Sequence, residues 1–130
     1  MSTPANLKYT TSDEWVLVEG KTATIGITDY AQEQLSDVVF VEILLSEGDM
    51  IEKKAAIATV ESVKAATDVY APISGKVISK NESLQDNPGD INTDPYVKAW
   101  MLKVEITNPA ELDGLMDSAA YEKYCAERSH

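Results

Sequence analysis

At 130 residues with 44% hydrophobic content, the chain holds enough apolar material for one core and too little length for two ordinary domains, so one domain over 1–130 is expected. A formal charge of −11, from 22 acidic against 11 basic residues, argues against nucleic acid as a partner, because a phosphate-tracking surface needs clustered Lys and Arg to displace counterions. No apolar run approaches the ~20 residues that span a bilayer and no basic-then-apolar leader opens the chain, so neither a membrane partner nor a signal peptide is expected. Cys125 is the only cysteine and His130 the only histidine, so no internal disulfide and no metal site are expected. A reducing compartment fits best, the cytoplasm first and an organelle second, and a monomer is expected.

In chain order, Val, Ile, Thr and Tyr between turn residues predict strands over 14–18 and 22–27, separated by Glu19-Gly20. A short helix over 29–35 follows, with Thr28 or Asp29 as its cap. Further strands are predicted over 38–44, 55–61, 68–71, 75–78 and 99–104. The breaks between them include Glu47-Gly48-Asp49, Ser74-Gly75 and Asn87-Pro88-Gly89. Near the C-terminus, Asn108 reads as an N-cap, Pro109 as a first-turn proline and Glu111 as the N3 acid of a turn that Gly114 ends. A second helix through Tyr121, Tyr124 and Cys125 completes a helical segment over 109–128, with Leu112, Leu115, Met116, Tyr121 and Tyr124 as its apolar stripe. Trp15, Phe40, Tyr70 and Trp100 are expected to pack in the core or at its rim, and Cys125 to be a small buried residue.

An approximate repeat organises these strands. Gly48-Asp49 recurs as Gly89-Asp90 at an offset of 41, and Val60-Glu61 as Val104-Glu105 at an offset of 44. The duplication predicts a mainly β fold with two quasi-repeated, four-stranded layers face to face around one core.

The segment from Glu61 to Val77 sets an apolar strand on each side of a short turn holding a lone lysine, Lys64. An exposed lysine on a turn is ordinarily a solvated charge. A carrier residue, however, requires a flexible amine on a rigid base, and a tight hairpin on a packed sheet supplies both. No catalytic set competes with this reading. The only histidine is terminal, and there is no Gly-rich phosphate loop and no H-x-x-x-H or C-x-x-C spacing. The abundant acids read first as a solubilising surface and second as steering toward partners with basic rims.

This segment resembles biotinyl and lipoyl carrier domains, in which the modified lysine sits between an acidic approach and an Ala-Pro-x-x-Gly exit, here Ala71-Pro72-Ile73-Ser74-Gly75. Biotin carriers typically flank the lysine with methionines, whereas Glu61-Ser62-Val63-Lys64-Ala65 looks like the lipoyl signature of the glycine-cleavage H proteins. The resemblance continues through Ser12-Asp13-Glu14-Trp15-Val16, Gly26-Ile27-Thr28-Asp29-Tyr30-Ala31-Gln32, Val38-Val39-Phe40-Val41-Glu42, Asn92-Thr93-Asp94-Pro95-Tyr96 and Gly114-Leu115-Met116-Asp117. Many H proteins differ in having His at the position of Tyr30, a proline where Leu44-Leu45 stands, and Gly in place of Ala99.

The resemblance implies a lipoyl-type flattened β-barrel or barrel-sandwich hybrid that acts as a carrier and not as an enzyme. Lipoate would be joined by an amide to Lys64 as a swinging arm, a post-translational modification made by a lipoate ligase or a lipoyl/octanoyl transferase that reads Glu61, Ser62, Val63 and Ala65. The arm would dock in a cleft lined by Ser12, Glu14, Tyr30 and Asp68. The resemblance further implies a place in glycine catabolism and one-carbon metabolism. The aminomethyl group would pass from a PLP-dependent glycine decarboxylase to a tetrahydrofolate-dependent aminomethyltransferase, and a dihydrolipoamide dehydrogenase would reoxidise the arm. A lipoate relay or lipoate-bound sulfur carrier on the same scaffold would share every motif at Lys64. A biotin carboxyl carrier and an unmodified acidic interaction domain are the remaining alternatives.

Overall fold

The computed structural model describes residues 2–128, so His130 lies outside the described residues. Two antiparallel sheets face each other across the core. The larger runs β1 (Lys8–Tyr9), β2 (Glu14–Glu19), β3 (Thr22–Ile27), β9 (Leu102–Ile106), β8 (Gly75–Lys80) and β5 (Met50–Ile51), in that spatial order. The smaller is β4 (Val38–Ile43), β6 (Ala56–Ser62) and β7 (Ala66–Tyr70), with β6 in the middle.

Alternation along the strands explains how the layers pack. In β9, Leu102 and Val104 are buried while Lys103 and Glu105 are exposed, as the period of two in a strand requires. Val41, Ile43, Val60 and Val69 face inward from the small sheet to meet Val16, Ile25, Val77 and Met101, all in one buried cluster. A second cluster of Leu7, Tyr9, Trp15, Tyr30, Tyr121 and Cys125 seals the end where the C-terminal helix lies.

The mainly β sandwich agrees with the sequence reading, but the division is six strands and three among the described residues, not four and four. The recurring Gly-Asp pairs are not equivalent. Gly48 adopts φ 91° in the turn before β5, whereas Gly89 has φ −64° and begins the one-turn helix α3 (Asp90–Thr93). Strands β1 and β5 have two residues each, too few to show a period, and each is recruited by its neighbour. The strand predicted over 99–104 starts only at Leu102, because the amide of Ala99 donates to the Asp94 carbonyl and closes a turn after α3.

The helices also depart in detail from their sequence signals. Thr28 does cap α1 (Asp29–Leu35), its hydroxyl accepting from the Ala31 amide at 3.2 Å. Asn108 makes no side-chain capping bond to the 3₁₀ turn Pro109–Gly114. Glu111, read as the capping acid, instead staples the loop before β8, accepting from the Ser74 amide at 2.7 Å and the Ser74 hydroxyl at 3.0 Å. Helix α4 (Ser118–Arg128) starts with Asp117 accepting from the Ala120 amide at 2.8 Å, and buries Tyr121 and Cys125. Between α1 and α4 in sequence lies one further turn of helix, α2 (Ser83–Asp86), besides α3.

One glycine bears directly on the strands leading from the lysine hairpin. A Cβ at Gly75 would stand 2.6 Å from the Glu105 carbonyl oxygen and 3.1 Å from Val104 Cβ. Backbone cannot yield there without shifting β8 against β9, so Gly75→Ala is expected to cost about 1–3 kcal/mol. Urea unfolding would register this as a lower midpoint at unchanged slope; an unmoved midpoint would show that the two strands can slip apart freely.

Candidate functional site

Lys64 lies in the tight turn Val63-Lys64-Ala65 that joins β6 to β7. Ser62 closes this turn. Its amide donates to the Ala65 carbonyl at 2.7 Å, and its hydroxyl oxygen accepts from the amides of Lys64 at 3.2 Å and Ala65 at 3.0 Å. The Val63 amide donates to the Asp37 carbonyl at 3.0 Å, which ties the tip to the chain entering β4. Lys64 is therefore exposed on a backbone braced from both sides. Mobility is left to the side chain.

The flanking signature residues share this tip. Val63 is 70% exposed, and Ala65 and Glu61 are also exposed. Glu61 is aligned with Phe40 on β4 and Ala66 on β7, so all three face outward in the row nearest the turn. A β-bulge between Val38 and Phe40 turns Val39 outward as well. Phe40 is thus 45% exposed, and Tyr70 is 41% exposed at the far end of β7. Of the four aromatics expected in the core or at its rim, only Trp15 is fully buried, its indole N–H donating to the Pro95 carbonyl at 3.0 Å.

A cleft of about 140 Å³ runs beside β7, lined by Ile27, Ala31, Leu35 and Val69 as apolar wall and by Ser12, Glu14 and Asp68 as polar wall, among others. Three of the four residues anticipated for it are therefore together. Tyr30 is not among them. It is buried against α4, with the Arg128 guanidinium 4.2 Å over its ring. The face of α1 that meets the cleft carries Ala31, Gln34 and Leu35, spaced i, i+3, i+4. That spacing is visible in the sequence as one face of the helix, but only the packing shows that this face, and not that of Tyr30, meets the cleft. Asn92 holds this wall, its amide nitrogen donating to the Ser36 carbonyl at 2.7 Å while its oxygen accepts from the Val38 amide at 2.9 Å.

Glu14 is buried, at 2% exposure. One carboxylate oxygen accepts from the Thr10 and Ser12 hydroxyls, both at 2.7 Å, and the other accepts from the Tyr70 amide at 3.4 Å. Burial raises its pKa above the ordinary value of 4.5, the three donors pull it back, and Asp13 beside it pushes it up further. A second hollow of about 160 Å³ also has Ser12 and Glu14 in its wall, with Lys53, Lys54 and Tyr70. An apolar slot ending in a buried carboxylate, with a hydroxyl and a second carboxylate beside it, suits an alkyl chain that terminates in a cation.

The chain matches the family model described as "Glycine cleavage H-protein" over residues 7–128. It is 49% identical to the glycine cleavage system H protein of Acidobacterium capsulatum over 129 residues, covering 99% of this chain and 98% of that one. The Carboxydothermus hydrogenoformans protein of the same description is 51% identical over 124 residues, covering 95% of each chain. The crystal structure of a glycine cleavage system H protein from Mycobacterium marinum superposes with a TM-score of 0.83 at 29% identity, covering 98% of this chain and 99% of that chain. With the lysine hairpin, the facing sheets and these whole-length matches in agreement, the chain belongs to the glycine cleavage H-protein family.

Proposed function

We propose that this protein is the lipoyl carrier of a glycine cleavage system, with lipoate joined to Lys64 and its arm docking in the cleft beside β7. The observation that carries the reading is the hairpin itself, which presents a lone lysine on a braced turn while its second strand runs along the wall of that cleft. From Lys64 to Asp68 is four residues, or about 13 Å of strand. A lysine side chain extended by an eight-carbon acyl group has about a dozen bonds and a similar reach, on the order of 15 Å. When joined to Lys64, lipoate would supply the disulfide electrophile needed for uptake of an aminomethyl group.

The remaining work belongs to this chain's own residues. Glu61, Ser62, Val63 and Ala65 present the amine of Lys64 to a lipoate ligase or lipoyl/octanoyl transferase. Ile27, Ala31, Leu35 and Val69 shelter the methylenes of the arm, at roughly 0.8 kcal/mol each, a gain that the loss of rotor freedom largely offsets. Glu14, with Ser12 and Asp68, holds the ammonium of the loaded arm and retains that state selectively. The partners are glycine decarboxylase, aminomethyltransferase and dihydrolipoamide dehydrogenase, in a cytoplasmic system. Labelled bicarbonate exchange into glycine, driven by a glycine decarboxylase, tests the reading: the lipoylated chain supports exchange and the unmodified chain does not. Equal exchange with both would overturn it.

Glu14 also makes a prediction about pH. A carboxyl group whose pKa is raised on folding contributes stability below its unfolded pKa and loses that contribution as pH rises through the folded pKa. Glu14→Gln removes the buried charge and keeps an oxygen to accept from Thr10 and Ser12. The variant should melt higher than the parent at pH 7 and alike below the ordinary value of 4.5, yet hold a loaded arm less well. Parallel melting curves across the whole pH range would show that Glu14 is not destabilised by its burial.

A further inference from the structure

Ser12 and Glu14 reach the cleft from either side of Asp13, whose φ of 73° places it in the left-handed region. A non-glycine residue holds that conformation only when its surroundings make up the cost, although Asp tolerates it better than most. The backbone contribution is modest: the Asp13 amide donates to the Thr10 carbonyl at 3.2 Å, and the Asp13 carbonyl accepts from the Thr28 amide at 3.0 Å. The stronger contacts come from α4, about a hundred residues further along the chain. Arg128 donates to Asp13 Oδ2 at 2.5 Å and to the Thr11 carbonyl at 3.3 Å, while Tyr124 donates to that same carbonyl at 3.0 Å. Tyr121 donates to Asp13 Oδ1 at 2.8 Å.

The guanidinium is itself gripped. It stands 4.2 Å from the ring centroid of Tyr30 on α1 and 4.7 Å from that of Tyr124 on α4, cation–π contacts that orient its fork toward Asp13. Arg128 lies in the last turn of α4, past the buried anchors Tyr121 and Cys125, so the helix does not depend on it for docking. Its donors go instead to the loop over 10–14, which Thr10 and Glu14 also close by two bonds of 3.0 Å, from the Thr10 amide to the Glu14 carbonyl and from the Glu14 amide to the Thr10 hydroxyl. We propose that Arg128, oriented by Tyr30 and Tyr124, is a positioning residue that latches this loop from α4 and so aims Ser12 and Glu14 into the cleft beside β7. This rests on the reading of that cleft as the dock for the arm. It also gives Tyr30 a part in the site from outside the cleft: Tyr30 supports the cation that holds Asp13.

The test compares the full chain with Arg128→Gln and Arg128→Lys. Three readouts are needed: hydrogen exchange at the Thr28 amide, carboxyl-carbon NMR titration of Glu14, and melting temperature. With the latch gone, Thr28 should exchange about tenfold faster in Arg128→Gln while the melting temperature moves little. The titration of Glu14 should move from that of the parent, because the loop supplies both the burial that raises its pKa and the Thr10 and Ser12 donors that lower it, with Asp13, Asp68, Lys53 and Lys54 as the charged groups around it. Arg128→Lys, which keeps the charge but not the planar fork, should recover part of both effects. In a double-mutant cycle, Asp13→Asn and Arg128→Gln should be non-additive on both readouts. Unchanged exchange and titration in Arg128→Gln, or full recovery of both by Arg128→Lys, would overturn the latch. The lifetime of the loaded group on the lipoylated chain separates the two claims. If the folded parent protects it no better than the unfolded chain does, the docking reading fails, and exchange and titration in the unmodified chain still decide the latch. If the parent protects it and Arg128→Gln shortens its lifetime, the latch is supported in function as well.

Discussion

Lys64→Arg will take up no lipoyl group and will melt at the temperature of the parent. The guanidinium is not a nucleophile for an acyl donor at neutral pH, so the loss should be complete. Stability is untouched because nothing that holds the turn passes through the lysine side chain: Ser62 closes it and Asp37 anchors it, both through backbone amides. Modification turns an ammonium into an amide and takes the formal charge of the parent from −11 to −12, since −11 minus 1 is −12. Native isoelectric focusing after treatment with a lipoate ligase should therefore move the parent toward the acid end and leave Lys64→Arg in place. Peptide mapping adds the residue assignment. Lipoyl recovered on any other lysine would break the assignment to Lys64, and a fall in melting temperature would show that the turn relies on Lys64 after all.

Tyr121→Ala should cause the largest loss of stability of any single change discussed here, about 3–5 kcal/mol in urea unfolding. The ring is fully buried and stacks on Tyr9 with centroids 4.6 Å apart and planes 6° from parallel. Its hydroxyl joins three elements. Burial pushes the phenol pKa well above 10, so it keeps its proton and donates it to Asp13, which leaves the Thr28 hydroxyl to donate to the phenol at 2.7 Å. Thr28 in turn accepts from the Ala31 amide, so the cap of α1, the first turn of α4 and the loop that carries Glu14 form one chain of hydrogen bonds. Tyr121→Phe keeps the stack and breaks only this chain, at about 1–3 kcal/mol. An alanine variant no worse than the phenylalanine variant would mean that the ring contributes nothing to packing.

The lysine hairpin was legible because its signals are local. Glu61 to Ala65 and the exit through Pro72 and Gly75 lie within fifteen consecutive residues, and strand-favouring residues between turn signals placed β2, β3, β4, β6, β7 and β8 to within a residue or two. The capping oxygen of Thr28 is also local, being three residues from the amide it serves. Elements of two residues carry no period, so β1 and β5 could not be read, and the Gly-Asp repeat misled because identical dipeptides adopt φ values of opposite sign in different surroundings.

The cleft divides along the same line. Sequence by itself placed Ser12, Glu14 and Asp68 among its candidates through resemblance, and the helical spacing of Ala31, Gln34 and Leu35 lay open to reading. It assigned Tyr30 to the wrong side of α1, because a residue's direction on a helix has meaning only relative to what packs there, and the neighbour is α4, ninety residues later. Asp13 shows the limit most plainly. Its left-handed backbone and the aim of the two residues beside it depend on hydrogen bonds from Tyr121 and Arg128. Local propensity determined the strands and the lysine turn; contacts distant in sequence, which carry no periodic or compositional signal, decided where the carboxylate points.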